Sequence, residues 1–168
     1  MGKEGDGWKT AMITLTFERG ASGGQAGGTS MMELNAYDVL ELARRIRRNG
    51  KPAIEDTYVR EKLVSFLIES RGNQLMSARE RVPGLAGDWP GAVPLSGKLR
   101  NTELRRRLTQ FSLSLMGANA ARFVSENSVD GGKWQRSYLN SFSATIGGGT
   151  SEIQHNIVGE RVLGLPKD

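Results

Sequence analysis

The sequence contains no cysteine, which excludes disulfide scaffolds, thiolate metal sites and cysteine nucleophiles. Its single histidine, His155, excludes a metal site built on a histidine pair, and we expect no metal. No apolar run approaches the roughly 20 residues of a membrane-spanning helix. The start of the chain is polar and glycine-rich, unlike a signal peptide. We therefore expect a cytoplasmic chain without a membrane span.

The charge balance is mildly basic. The 168 residues include 23 Lys and Arg against 18 Asp and Glu, a formal net charge of +5. Such an excess favours anionic partners, including those that carry phosphate. The apolar content is that of a globular protein when glycine is counted, and the length predicts a single domain over residues 1–168.

Apolar residues recur at helical spacing through most of the chain. Trp8, Ala11 and Leu15, for example, lie at i, i+3 and i+7, and strand-like alternation is absent over any useful length. The spacing predicts helices at about 8–20, 35–48, 55–81, 97–117, 133–146 and 150–163. The predicted fold class is all-α, most simply an up-and-down helical bundle.

Turn-forming residues separate these predicted helices. Pro52 follows the second helix and Pro83 the third, while the stretch from Gly87 to Pro94 predicts a loop. Five glycines lie between Gly20 and Gly28. Since each costs about 1 kcal/mol inside a helix, the first helix should end near Gly20.

Glu18 lies on the apolar stripe of the first predicted helix, three residues after Leu15. In one interpretation the helix leaves the core here, and Glu18 and Arg19 are solvated end residues. In the other, Glu18 is partly desolvated, which raises the pKa of a carboxylate toward the range that a general base needs. The spacing alone leaves both interpretations open.

A second candidate site is the run of three glycines at 147–149, which leads directly into Thr150 and Ser151. Either hydroxyl residue is a good helix N-cap, and Ser151 with Gln154 fits a capping box. Glycine allows close approach to the backbone, and the N–H groups at a helix start attract anionic or carbonyl oxygens. The alternative is an ordinary loop.

Basic residues form two clusters, one in the second predicted helix and one in the fourth. They are either phosphate-binding surfaces or solvated faces balanced by acidic neighbours such as Glu41 and Glu103. No recognition motif or interleaved aromatic residues accompany them, so we expect no nucleic-acid partner. The members are Arg44, Arg45, Arg47, Arg48 and Lys51 in the first cluster and Lys98, Arg100, Arg105, Arg106 and Arg107 in the second.

Segments near both ends carry a family pattern. The first segments read GWKTAM at 7–12 and LTFERG at 15–20, and the last read IGGGTSEIQ at 146–154 and ERVLGLP at 160–166. Together they resemble the acyl-CoA dehydrogenase family, and the resemblance covers essentially the whole chain. It implies the family's C-terminal helical domain alone, without the N-terminal helical and middle β-domains.

The resemblance implies a reaction and a base. In this family a glutamate removes the α-proton of an acyl-CoA thioester while the β-hydrogen leaves as a hydride to FAD, giving a 2-enoyl-CoA. The commonest position of that glutamate is occupied here by Gly148. A minority of members carry it on the first helix of this domain, a position that matches Glu18. The resemblance therefore implies Glu18 as the base and Arg19 in a supporting role.

The resemblance also implies cofactor contacts. Thr150 and Glu152, together with Gly149, match loop positions on the flavin side, and Gly117 is retained from a Gln-x-x-Gly-Gly motif. The other two positions of that motif hold Ser114 and Ala118.

The family's Arg-x-x-Phe-Gly cofactor motif is changed. Its arginine and phenylalanine positions hold Ile46 and Asn49, and Arg47 or Arg48 is the candidate replacement for the phosphate contact.

We therefore expect a part of an FAD-dependent acyl-CoA dehydrogenase that is inactive alone. Its expected partners are an acyl-CoA substrate, an electron-transfer partner and further subunits in a homo- or hetero-oligomer. Two alternatives from other classes are a non-catalytic oligomerisation subunit and a basic nucleic-acid-binding bundle.

Overall fold

A computed structural model describes residues 3–14, 34–79, 82, 84, 92–123 and 126–166. These residues fold almost entirely into helices, which confirms the predicted all-α bundle. The described part of α1 covers 7–14. The later helices are α2 (Ala36–Arg45), α3 (Thr57–Arg79), α4 (Ala92–Met116), α5 (Lys133–Ile146) and α6 (Ser151–Ile157).

Short elements connect the helices. A two-stranded antiparallel hairpin, β1 (Arg47–Arg48) and β2 (Lys51–Pro52), follows α2. Turns of 3₁₀ helix cover Ala53–Glu55, Gly117–Ala121 and Val129–Gly132, and a π-helical turn at Val158–Val162 continues α6.

The core is centred on α4, which packs against α2, α3, α5 and α6. One face of α4 supplies Leu104, Leu108 and Leu115 to this core. Phe111 of the same face meets Phe66 of α3 with ring centroids 5.5 Å apart. This is the helical spacing of apolar residues used to predict a bundle, so the burial of these faces accounts for the fold.

The second helix is shorter than predicted. Asn35 caps α2 and exchanges hydrogen bonds with Asp38 in a capping box, but the helix ends at Arg45 and not at 48. The chain then turns through Asn49 and Gly50, whose φ angles of 51° and 78° suit a two-residue hairpin turn. The strands have only two residues each, too few for any alternation to be visible in the sequence.

The predicted loop from Gly87 to Pro94 is wrong at its Pro94 end, and residues 87–91 lie outside the described part of the chain. The fourth helix begins at Ala92, five residues before the predicted start at 97. Pro94 therefore lies in the first helical turn, where a backbone N–H has no intrahelical partner and proline is tolerated.

The predicted end of the first helix, near Gly20, lies outside the described residues. Glu18, Arg19 and the glycine-rich segment from Gly20 to Gly28 all lie outside the described residues.

An ion pair ties α2 to the start of α5. The Arg45 guanidinium donates two hydrogen bonds to Asp130, at 2.9 and 2.7 Å. The indole N–H of the fully buried Trp134 donates to the same carboxylate at 2.7 Å. Asp130 has a left-handed φ of 50°, so its contacts with Arg45 and Trp134 help to hold an unfavourable backbone conformation.

This cluster predicts a loss of stability in acid. The pKa of Asp130 is lowered from the usual 3.8 to about 2, and the hydrogen bond from Arg45 is the largest cause. Because the pKa of Asp130 is lower in the folded state than in the unfolded state, its ionised form stabilises the fold when the pH is above the unfolded-state pKa. This contribution disappears as the pH falls from about 4 to 2. The contribution is on the order of 1 kcal/mol, because the Arg45 side chain is 54% exposed and water screens the pair.

Urea unfolding of the wild type and Asp130→Asn should therefore show a gap in unfolding free energy at pH 6 that closes near pH 2. A gap of constant size would contradict an ionised Asp130 as its source.

Candidate functional site

The glycine run connects α5 to α6 in a conformation that favours glycine. Gly148 and Gly149 have φ angles of 68° and 102°. A Cβ at Gly149 would lie 3.0 Å from the side-chain nitrogen of Gln154 and 3.4 Å from Ile153. The strained φ and this close approach both favour glycine, so the segment is a fixed turn of the backbone.

Thr150 is the N-cap of α6. Its side-chain oxygen accepts the backbone N–H of Ile153 at 3.4 Å. The predicted capping box between Ser151 and Gln154 is not formed. Gln154 is 1% exposed and donates to the carbonyl oxygen of Gly148 at 2.8 Å.

Helix α4 holds both neighbours of Thr150. Lys98, which is 3% exposed, donates from its ammonium group to the carbonyl oxygen of Gly149. The hydroxyl of Ser151 donates to the Glu103 carboxylate on the same helix. A residue expected to contact the flavin is therefore flanked by two side-chain contacts to a core helix.

Glu152 lies one residue beyond, with its side chain exposed. Hydrogen bonds from its own backbone N–H and from the Thr150 hydroxyl lower the pKa of Glu152. The carboxylate is therefore ionised at neutral pH and can only accept hydrogen bonds.

The second basic cluster does not behave as one surface. Lys98 is buried and faces the loop, contrary to both interpretations of the cluster. Arg107 makes two hydrogen bonds with Glu69 of α3, at 3.0 and 2.5 Å.

In the first cluster, Arg44 pairs with Glu41 at 2.6 Å, which agrees with a solvated, charge-balanced face. Arg47 and Arg48, with Lys51, belong to the hairpin and not to the predicted helix.

The hairpin concentrates positive charge. Arg48 and Lys51 are directly paired across the two strands, and both are exposed. Like charges in this position repel each other, so an anion bound between them would remove an unfavourable interaction. Ile46, at the family's arginine position, packs against the hydrophobic core.

The candidate cofactor residues lie at two ends of the bundle. Gly117, with a left-handed φ of 54°, follows α4 directly. It comes 19 residues after Lys98, or about 28 Å along the helix axis. The structure thus brings Gly149, Thr150 and Glu152 together but leaves Gly117 at the far end of α4. The start of α5 lies at that end too, because the Gln135 side-chain amide donates to the carbonyl oxygen of Ala120. The Arg45–Asp130 pair joins α2 to the turn just before α5.

Sequence reasoning did not identify Lys98 and Gln154 as loop-holding residues. In the sequence, Lys98 is one of ten basic residues in two clusters, and the spacing of Ser151 and Gln154 predicts a capping box. Their contacts depend on the packing of α4 against α6, which no local pattern reports.

The described ranges are 3–14, 34–79, 82, 84, 92–123 and 126–166. In those ranges no helix has the length and apolar character needed to cross a membrane. They also hold no group of three or more His, Asp or Glu side chains arranged to bind a metal ion.

Comparison with known proteins gives a consistent result. The family model described as "Acyl-CoA dehydrogenase, C-terminal domain" matches residues 5–163. Acyl-CoA dehydrogenase IpdE1 from Mycobacterium tuberculosis is 36% identical over 168 residues, which is all of this chain and 40% of the relative. The chain thus spans about two-fifths of the length of this curated relative.

Solved structures resemble the chain over the same share of their length. The ChsE4–ChsE5 complex from Mycobacterium tuberculosis matches with a TM-score of 0.71 and 25% identity, covering 99% of this chain and 43% of that one. A structure named Tcur3481–Tcur3483 steroid ACAD matches with a TM-score of 0.73 and 26% identity, covering 99% and 42%.

Proposed function

This chain belongs to the acyl-CoA dehydrogenase family as its C-terminal domain, and we propose that it contributes the base and one wall of the flavin site to an α,β-dehydrogenation of an acyl-CoA thioester. The observation that carries the proposal is the loop at 147–150, held by Lys98 and Gln154. A fixed, half-buried loop followed by an exposed carboxylate, Glu152, is suited to bind a rigid, planar ligand.

The residues of this loop fit an isoalloxazine ring chemically. The Glu152 carboxylate accepts hydrogen bonds, while the loop N–H groups donate them. A flavin edge carries both N–H and carbonyl groups, so these donors and acceptors match it. When bound, FAD accepts the β-hydrogen of the substrate as a hydride.

Glu18 is the proposed base. A carboxylate that removes the α-proton must be ionised before the reaction and protonated after it. Gly148 occupies the family's more common base position, and its φ of 68° disfavours a glutamate there by about 1–2 kcal/mol. Arg19 is proposed to support the position of Glu18.

The phosphates of FAD are proposed to bind at the hairpin. Arg48 and Lys51 supply a repulsive pair of positive charges that a pyrophosphate would neutralise. The residue at the motif's arginine position, Ile46, packs against the hydrophobic core and supplies no charge.

We further propose that the two ends of the bundle serve different cofactor molecules. Gly117 lies about 28 Å along α4 from Lys98, which contacts Gly149, so one isoalloxazine ring cannot contact both Gly117 and Thr150. The full set of contacts would then need a second subunit, identical or different. Support comes from two similar structures whose names pair two proteins, ChsE4–ChsE5 and Tcur3481–Tcur3483. An electron-transfer partner would reoxidise the flavin.

A second candidate is a non-catalytic oligomerisation subunit. It is favoured by exposed apolar side chains on α5, with Leu139 at 56% and Ile146 at 63% exposed. Such residues are suited to contact another protein surface.

The test is the purified protein together with any chains that accompany it. We expect a mass larger than that of one chain, a flavin spectrum and anaerobic bleaching of that spectrum by an acyl-CoA. Straight-chain and steroid thioesters should be compared, because one similar structure is named a steroid enzyme. A stable oligomer that binds no FAD, with or without added cofactor, would favour the non-catalytic alternative.

A further inference from the structure

We infer that Lys98 is a positioning residue for the peptide between Gly149 and Thr150, an inference that rests on the function proposed for this loop. Lys98 reaches the loop from α4, 51 residues earlier in the chain, and donates to the carbonyl oxygen of Gly149. The local sequence pattern assigns Lys98 no such role.

The contact fixes the direction of an N–H group. A peptide unit is planar and trans, so the carbonyl oxygen of Gly149 and the N–H of Thr150 point in opposite directions. Lys98 draws the oxygen toward α4, which turns the Thr150 N–H away from α4. Gln154 of α6 fixes the preceding peptide in a similar way, because its side-chain amide donates to the carbonyl oxygen of Gly148.

The charge on Lys98 strengthens this effect. A hydrogen bond from an ammonium group is roughly twice as strong as a neutral one, and it polarises the peptide that accepts it. The N–H at the other end of that peptide becomes a better donor. A ligand oxygen facing Thr150 would therefore meet a stronger donor in a fixed direction.

The burial of Lys98 argues against a purely structural role. Taking an ammonium group to 3% exposure costs free energy that an apolar side chain of similar volume would not. Packing of α4 against α6 would be served as well by methionine. A buried charged side chain at a core position is unfavourable, and such exceptions are expected where a functional site must be held in place.

The first experiment uses the 168-residue chain and compares Lys98→Met with Lys98→Arg, which retains the charge. Lys62→Met is the matched control, because Lys62 is exposed on α3. Backbone NMR order parameters are measured at Gly149 and Thr150, with Leu63 of α3 as the internal reference. For Lys98→Met we expect values at the loop to fall from about 0.85 to below about 0.6 while Leu63 is unchanged. Lys98→Arg and Lys62→Met should stay near the wild-type values.

The second experiment measures steady-state kinetics of the flavin-loaded enzyme that contains this chain. Lys98→Met should lower kcat by about 10- to 100-fold with KM changed less than about threefold, and Lys98→Arg should recover most of the loss. An unchanged loop order parameter, an equal loss of order at Leu63, or an unchanged kcat each overturns the inference. Absence of dehydrogenation by the wild type overturns the proposed function instead, and the NMR comparison still decides whether Lys98 holds the loop.

Discussion

Replacing Glu18 with glutamine is expected to lower the turnover of the complete enzyme by about 10²- to 10⁴-fold, the usual contribution of a general base. Glutamine has nearly the same shape but cannot take up the α-proton. Exchange of that proton with solvent deuterium should be lost, whereas FAD should remain bound because Glu18 is proposed to act on the substrate. The measurements are kcat, deuterium incorporation into the acyl-CoA and the visible spectrum of the variant.

A matched change at Glu55, an exposed carboxylate in the turn before α3, controls for the loss of a negative charge. Glu55→Gln should leave turnover and exchange at wild-type rates. Deuterium exchange at the wild-type rate in Glu18→Gln would remove Glu18 from the proposed mechanism. Loss of FAD from that variant would instead indicate that Glu18 supports the cofactor.

Helix α5 shows what sequence patterns predict well. Its predicted bounds, 133–146, are those of the structure, because both ends have a local chemical cause. Gly132 precedes it with a left-handed φ of 78°, and a Cβ there would lie 2.4 Å from the Phe123 carbonyl oxygen. Gly147 ends it. A helix boundary whose backbone geometry favours glycine is marked by that glycine in the sequence, so such boundaries are predictable.

Helices α2 and α4 show where the same reasoning fails. The apolar and basic pattern of α2 continues past Arg45, although the backbone turns into a hairpin at Asn49 and Gly50. Pro94 looks like a helix breaker until its place in the first turn is known. Both errors concern boundaries, where the local pattern is compatible with two conformations and tertiary packing selects one.

The candidate site was predictable only in part. The glycine run and Thr150 were visible because they are contiguous, and the structure keeps them together. The residues that hold them, Lys98 and Glu103, are 51 and 48 residues away from their partners. A buried lysine and a surface lysine look alike in a sequence, so the inward direction of Lys98 required the packed structure.

Replacement of Trp134 is expected to lower the stability of the fold more than the other substitutions proposed. Its side chain is fully buried, and its indole N–H donates a hydrogen bond to Asp130, which also forms an ion pair with Arg45. Trp134→Ala leaves a cavity and removes a donor from a charged acceptor, so it should cost about 3–5 kcal/mol. Since a domain of this size has a total stability of about 5–15 kcal/mol, the variant should unfold at a much lower urea concentration.

Two further substitutions separate the contributions that make Trp134 important. Trp134→Phe keeps most of the buried ring but loses the N–H donor, so it should cost only about 1–3 kcal/mol. Trp8→Ala removes a tryptophan that is 77% exposed and should change the unfolding free energy by less than about 0.5 kcal/mol. The urea midpoint should therefore be highest for Trp8→Ala, lower for Trp134→Phe and lowest for Trp134→Ala. A Trp134→Ala midpoint equal to that of Trp8→Ala would mean that α5 does not depend on this buried contact.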